Sequence, residues 1–214
     1  MSVNKTDSNI ILHLCADIGS DSYFFKEAGY DVRCIGKDIG VENYTPPEEV
    51  FGIIANPVCT EFSIARGFNT KTDTDKGMYL VNHCFRIINQ CKKSFYVIEN
   101  PASGKLGKFI GAPHHTYQPW WYGDPWTKKT ALWGEFVMPI RKYYLWDTVP
   151  KNNKLYVRPG RPKPSLAFMH KSAIFDIPAF SPFKVDDDMS FRSLCPQGFA
   201  KAFYNSNKRL TDVL

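Results

Sequence analysis

The sequence predicts an α/β fold built on a mostly parallel sheet, and three observations predict it. Short apolar runs rich in β-branched residues recur at NIILHLC (9–15), YDVRCIG (30–36), VFGIIAN (50–56) and SFYVIEN (94–100). Helical patterns separate the first run from the second and the third from the fourth. The resulting order of strand, helix, strand, loop, strand, helix, strand is the alternation that parallel crossovers require.

Each element has its own local reason. NIILHLC reads as a buried strand, and the Gly-bearing loop ADIGSDS (16–22) follows it. YFFKEAG (23–29) reads as a short helix closed by Gly29. YDVRCIG is the second strand. TPPEE (45–49) is a loop, because paired prolines continue neither a helix nor a strand. Only 19 residues separate Gly36 from Asn56, so no full helix is expected in that crossover. VFGIIAN is the third strand, and PVCTEFSIARG (57–67) is its exit. Asp73 or Asp75 is placed to cap the helix that follows. Residues 76–93 carry Met78, Leu80, Val81, Cys84, Phe85, Ile87, Ile88 and Cys91 at near-helical spacing. SFYVIEN is the fourth strand.

The second half has a different texture. Residues 101–165 hold nine of the 15 prolines and all five tryptophans, which predicts a loop-rich flank. TALWGEFVM and KLYVRPG read as strands or hairpin arms, KNNK (151–154) as a turn, and 176–188 as irregular. CPQGFAKAFYNSN (195–207) reads as a final helix with Pro196 near its first turn. One domain over 1–214 is expected, with 1–106 and 190–214 as its core and 107–189 as the flank.

Composition narrows the classes. The 214 residues are 43% hydrophobic, 15% aromatic and 22% charged, which excludes extensive disorder. No apolar run is long enough for a membrane helix, so no membrane partner is expected. The formal charge of +6 permits a polyanion partner without requiring one. The six cysteines form no C-x-x-C pair, so no structural metal is expected. The polar MSVNKTDSN shows no secretory leader, and reduced thiols in a cytoplasmic compartment follow as the expectation.

Ligands of open α/β sheets bind beyond the carboxyl ends of strands. Cys59 lies there after the third strand, on a Pro57-shaped exit. A thiolate is a soft nucleophile suited to an electron-poor ring carbon. Glu99 stands at the end of the fourth strand, where a carboxylate is costly unless it meets a ligand or a cation. Such a group can grip the Watson–Crick edge of a pyrimidine.

These residues carry a resemblance. LHLCADIGSDSYFFKEAGYDV, ANPVCTEFS, VIENPASGKL, YGDPWTKKTALWG and RSLCPQGFAKAF stand in the order of the motifs of DNA cytosine-C5 methyltransferases. The chain resembles the short phage and prophage forms of that family over residues 9–205. The resemblance implies a Rossmann-like, S-adenosylmethionine-dependent sheet with helices on both faces. The loop-rich 107–189 would then replace a large target-recognition domain.

It also implies roles. Cys59 would add to C6 of a flipped cytosine, Glu99 would hold N3 and the amino group, and S-adenosylmethionine would be the donor, leaving S-adenosylhomocysteine. Ala16, Asp17, Ile18, Gly19, Asp38, Asn56, Pro57 and Phe199 are the implied cofactor neighbours. For Asn56, capping the strand end is the open alternative. Ser63, Asn100, Lys128, Lys129, Thr130 and Arg141 are the implied substrate and DNA contacts, with Arg158 and Arg161 as further phosphate partners. Trp120, Trp121, Tyr122 and Trp126 either stack on bases or pack a lid or core. DNA is the expected partner and a monomer the expected state, in the cytoplasm of a bacterial host if phage-encoded.

The chain departs from the family pattern at named positions. His13 stands where an acid is usual, Asp17 where a glycine is usual, and Val58 where a proline precedes the cysteine. The acid after the second strand is displaced to Asp38, behind Lys37. Two other readings stay open: the same scaffold with another donor or pyrimidine, and a non-catalytic nucleic-acid-binding module.

Overall fold

The computed structural model describes residues 6–16, 18–62 and 73–210. Six strands form one mixed sheet: β1 (Ile10–Leu14), β2 (Asp31–Ile35), β3 (Gly52–Ala55), β4 (Phe95–Pro101), β5 (His115–Tyr117) and β6 (Thr130–Glu135). Their order across the sheet is β2-β1-β3-β4-β6-β5. β1 runs parallel to β2 and β3, and β3 runs parallel to β4. β6 pairs antiparallel to β4, with Pro101 opposite Thr130 and Glu99 opposite Leu132. The α/β expectation therefore holds, with four parallel strands and a reversed neighbour.

The apolar runs become strands because they are covered. Ile11, Leu12, Leu14, Ile53, Ala55 and Ile98 are fully buried. β2 is an edge strand, and Asp31, Arg33 and Cys34 on it are exposed. Among the described residues, five α-helices accompany the strands. α1 is Tyr23–Glu27, followed by Gly29 at φ +84°. α2 is Thr74–Gln90, and the Asp73 side chain accepts from the Lys76 N–H at its start. Val81, Cys84, Ile87 and Ile88 of α2 join the strand residues in one core. The crossover from β2 to β3 contains no helix, as its length requires. α3 is Gly107–Ile110, α4 is Asp188–Ser193 and α5 is Gln197–Asn207.

The chain divides into two compact units. Residues 1–116 and 130–136 form the first, and 117–129 and 137–214 form the second. The sheet, apart from Tyr117, belongs to the first unit. Beyond Tyr117, the described residues of the second unit hold helices and 3-10 turns and no strand. KLYVRPG, expected as a strand or hairpin arm, is irregular. Only Leu155 of that run is buried, while Tyr156 and Val157 are exposed, and Pro159 lacks the donor that a ladder needs.

Among the described residues, no helix is long and apolar enough to cross a membrane. All six cysteines are free thiols. Cys84, Cys91 and Cys195 are buried, as expected of small apolar side chains. Cys34 departs from that expectation because it lies on the edge strand.

Candidate active site

β1, β3 and β4 lie side by side and parallel, so their carboxyl ends open on one edge of the sheet. The sequence places a polar group on each. His13 is the penultimate residue of β1 and is 1% exposed, an imidazole set among fully buried leucines. Asn56 follows β3 directly. Glu99 lies near the end of β4, half-buried, with Asn100 buried beside it.

Cys59 sits four residues beyond β3, on a 3-10 turn over Cys59–Glu61. The turn is held from below by Phe62, which is fully buried. The Phe62 carbonyl accepts from the Lys105 N–H at 2.8 Å, and its ring lies 5.9 Å from that of Phe109. The loop after β4 therefore braces the loop after β3. Cys59 and Val58 stay accessible above this anchor, Cys59 in part and Val58 at 40%.

Two reciprocal side-chain hydrogen bonds stitch the loops together. Asn100 Nδ2 donates to the Pro57 carbonyl at 2.9 Å, fixing the backbone two residues before the thiol. Asn56 Nδ2 donates to Glu99 Oε2 at 3.3 Å and to Asp21 Oδ1 at 3.2 Å. Asn56 Oδ1 meets His13 Nε2 at 2.7 Å. His13 Nδ1 meets Ser22 Oγ at 2.8 Å, and the Ser22 hydroxyl also lies 3.2 Å from the Gly19 carbonyl. Burial pushes the His13 pKa down from its ordinary 6.5, against smaller upward pulls from Asp21 and Asn56. Burial thus favours the neutral ring.

No family model matches the chain, and no curated protein matches it.

The structure brings one group of the expected residues together. Ala16, Ile18 and Gly19 form the loop after β1; Asn56, Pro57 and Cys59 follow β3; Glu99 and Asn100 end β4; Thr130, buried, faces Pro101 across the ladder. Gly19 has φ +75°, where an L side chain is strained, and a Cβ there would lie 3.1 Å from Cys34 Sγ, which would have to give by a few tenths of an ångström. Asp38 is exposed in the turn after β2. Asn56 does not stand open at the strand end, because His13, Asp21 and Glu99 already occupy its amide. Asp17 and Ser63 lie outside the described residues.

A second group belongs to the second unit. Phe199 is 5% exposed, with its ring stacked 3.7 Å from that of Tyr117 at 9°. Lys128 Nζ donates to the Ser193 and Leu194 carbonyls, where a cation complements the end of α4. Lys129 is exposed. The Arg141 guanidinium lies 3.4 Å over the Trp121 ring. Lys163 lies over both Trp120 and Trp146, so cations and indoles alternate in one cluster.

Sequence reasoning missed Asp21, Ser22 and Asp124, and used His13 only as a departure from a pattern. The available signal was polarity inside apolar surroundings: His13 interrupts IILHL. Asp124 is buried and accepts from the Gly198 N–H at 2.8 Å at the start of α5. Burial pushes its pKa up to about 7, although the Gly198 and Phe199 amides pull it down. A Cβ on Gly198 would lie 2.5 Å from the Tyr122 carbonyl oxygen and 2.7 Å from Asp124 Oδ2, so this approach needs glycine.

Proposed function

We propose that the chain is a DNA cytosine-C5 methyltransferase that works through a covalent Cys59 adduct. The observation that carries this reading is the pair of stitches between the two strand exits, Asn56 to Glu99 and Asn100 to the Pro57 carbonyl. They hold a thiol-bearing turn and a carboxylate on adjacent strands, as addition to a gripped pyrimidine demands. The order β2-β1-β3-β4-β6-β5, with β6 reversed, supports a Rossmann-like sheet for this role.

In this reading a cytosine leaves the DNA stack and enters between Cys59 and Glu99. The Cys59 thiolate adds to C6, which makes C5 nucleophilic. Glu99 accepts from the amino group and, carrying a proton once the base is bound, donates to N3, which stabilises the negative charge that develops on the ring during addition. Once C5 is methylated, its proton passes to solvent water, its electron pair restores the C5–C6 double bond, and the bond between C6 and Cys59 breaks to return the thiolate. When bound, S-adenosylmethionine supplies the methyl group from its sulfonium centre. The exposed Asp38 carboxylate fits the hydroxyls of a ribose in that cofactor, and Gly19 lets the loop after β1 turn back at φ +75°. Ala16 and Ile18 flank the same loop. Lys129 and Arg141 contact phosphates in this reading.

The test is methyl transfer from labelled S-adenosylmethionine to amplified, unmodified DNA of mixed sequence, followed by nucleoside analysis. The expected product is 5-methylcytosine, lost to background in Cys59→Ser and Glu99→Gln. Absence of 5-methylcytosine with the wild-type chain, or its persistence with Cys59→Ser, overturns the reading.

A further inference from the structure

We propose that His13 is a positioning residue for Glu99, acting through Asn56. The inference rests on the reading of Glu99 as the group that grips the base.

One end of the Asn56 amide lies 3.2 Å from an Asp21 carboxylate oxygen and 3.3 Å from a Glu99 carboxylate oxygen. Carboxylates only accept, so that end is the NH2 group, with one hydrogen for each. The opposite end is then the carbonyl oxygen, and it faces His13 Nε2 at 2.7 Å. An oxygen cannot donate there, so His13 Nε2 carries a hydrogen. In the neutral ring Nδ1 is then the acceptor, so the Ser22 hydroxyl turns its one hydrogen to Nδ1 at 2.8 Å and not to the Gly19 carbonyl at 3.2 Å. One chain of donors thus runs from Ser22 through His13 and Asn56 to Glu99, and each link fixes the sense of the next.

The consequence is orientational. An asparagine at a strand exit has two amide orientations, and only one presents hydrogens to Glu99. His13, buried and held at both ring nitrogens, selects it. A leucine in this place would fit the apolar strand and leave Asn56 Oδ1 without that donor. The same amide binds Asp21, just ahead of α1, so the segment after β1 and the carboxylate on β4 share one support.

The test compares His13→Leu with His13→Gln in the full-length protein. The glutamine amide reaches as far as Nε2 and donates to Asn56 Oδ1, whereas leucine does not. The expected result is a fall in kcat of about 10- to 100-fold in His13→Leu. His13→Gln should recover most of the rate. Two-bond nitrogen–proton correlations in the wild-type protein should show His13 protonated at Nε2 alone. The Asn56 side-chain amide protons should show slow exchange in the wild type and His13→Gln, and lose it in His13→Leu. Wild-type kcat in His13→Leu, failure of folded His13→Gln to recover rate, or a proton on Nδ1 at neutral pH would each overturn the inference. If the wild-type chain transfers no methyl group, the functional reading falls, while the tautomer and amide signals still decide whether the relay exists.

Discussion

In the first unit, parallel strands supply the frame, and the polar side chains gather where those strands end. His13, Asn56 and Glu99 touch in sequence, and Asn100 ties the next loop back. In the second unit the described chain past Tyr117 has short helices and 3-10 turns, and rings and caps take the place of ladders. Phe199 stacks on Tyr117, Trp126 packs on Phe180, and Asp124 is buried under the start of α5. The difference concerns what sets a side chain's direction. On a strand, the pleat aims each residue before any tertiary contact forms. In a loop-rich unit, the tertiary contacts themselves do the aiming. Substitutions in the first unit should therefore disturb chemistry ahead of folding, and those in the second should disturb folding first.

The largest loss of stability is expected from Phe199→Ala. The ring is nearly fully buried and stacked, so its removal should cost about 3–5 kcal/mol in urea unfolding. A cost near zero would show that this stack does not organise the second unit. Asn100→Ala sharpens the contrast. It leaves the Pro57 carbonyl without its side-chain donor and should cost about 1–3 kcal/mol. Methyl transfer should fall by more than that stability loss explains, because the Cys59 turn loosens. Equal stability and activity of Asn100→Ala and the wild type would remove the stitch from the account.

Two buried titrating groups separate the units by pH. Asp124 is raised from its ordinary 3.8 to about 7, so the folded state binds its proton more tightly than the unfolded chain. Its contribution to stability is complete below about pH 3.8 and is lost as pH rises through about 7. His13 is lowered from 6.5, so its contribution has the opposite sign: present above 6.5 and lost as pH falls through its folded value. Asp124→Asn keeps an acceptor for the Gly198 N–H and removes the titration. Melting temperatures from pH 4 to 8 should decline less toward the alkaline side in Asp124→Asn than in the wild type. Parallel curves would show that Asp124 does not titrate in this range. A smaller effect belongs to Lys128→Ala, which removes a partly exposed cation from the end of α4 and should cost under about 1 kcal/mol. Lys129→Ala should leave unfolding unchanged, and a melt shift equal to that of Lys128→Ala would contradict their different settings.

The strands were legible because their apolar runs have the right length and their exits carry Gly, Pro or polar residues. β1, β3 and β4 come directly from IILHL, GIIA and FYVIENP. The helix-free second crossover follows from its length, and the Asp73 cap from its place before a periodic run. KLYVRPG misled because alternation without a neighbouring strand gives no ladder. Cys59 and Glu99 were legible as strand-exit residues. The relay was not, since a histidine within IILHL reads equally as a tolerated core residue until Asn56 and Ser22 are seen at its two nitrogens. The Asp124 burial is set by Tyr122 and Gly198, 74 residues from the latter, and no local pattern announces it.

The most direct test of the central claim is trapping of the covalent adduct. DNA amplified with 5-fluorocytosine in place of cytosine has no C5 proton to lose, so elimination of Cys59 is blocked after methyl transfer. With S-adenosylmethionine present, the account predicts a protein–DNA species that survives denaturation, maps to Cys59 and is absent in Cys59→Ser. Methylation of ordinary DNA without any trapped species on the fluorinated DNA, or trapping through another residue, would contradict it.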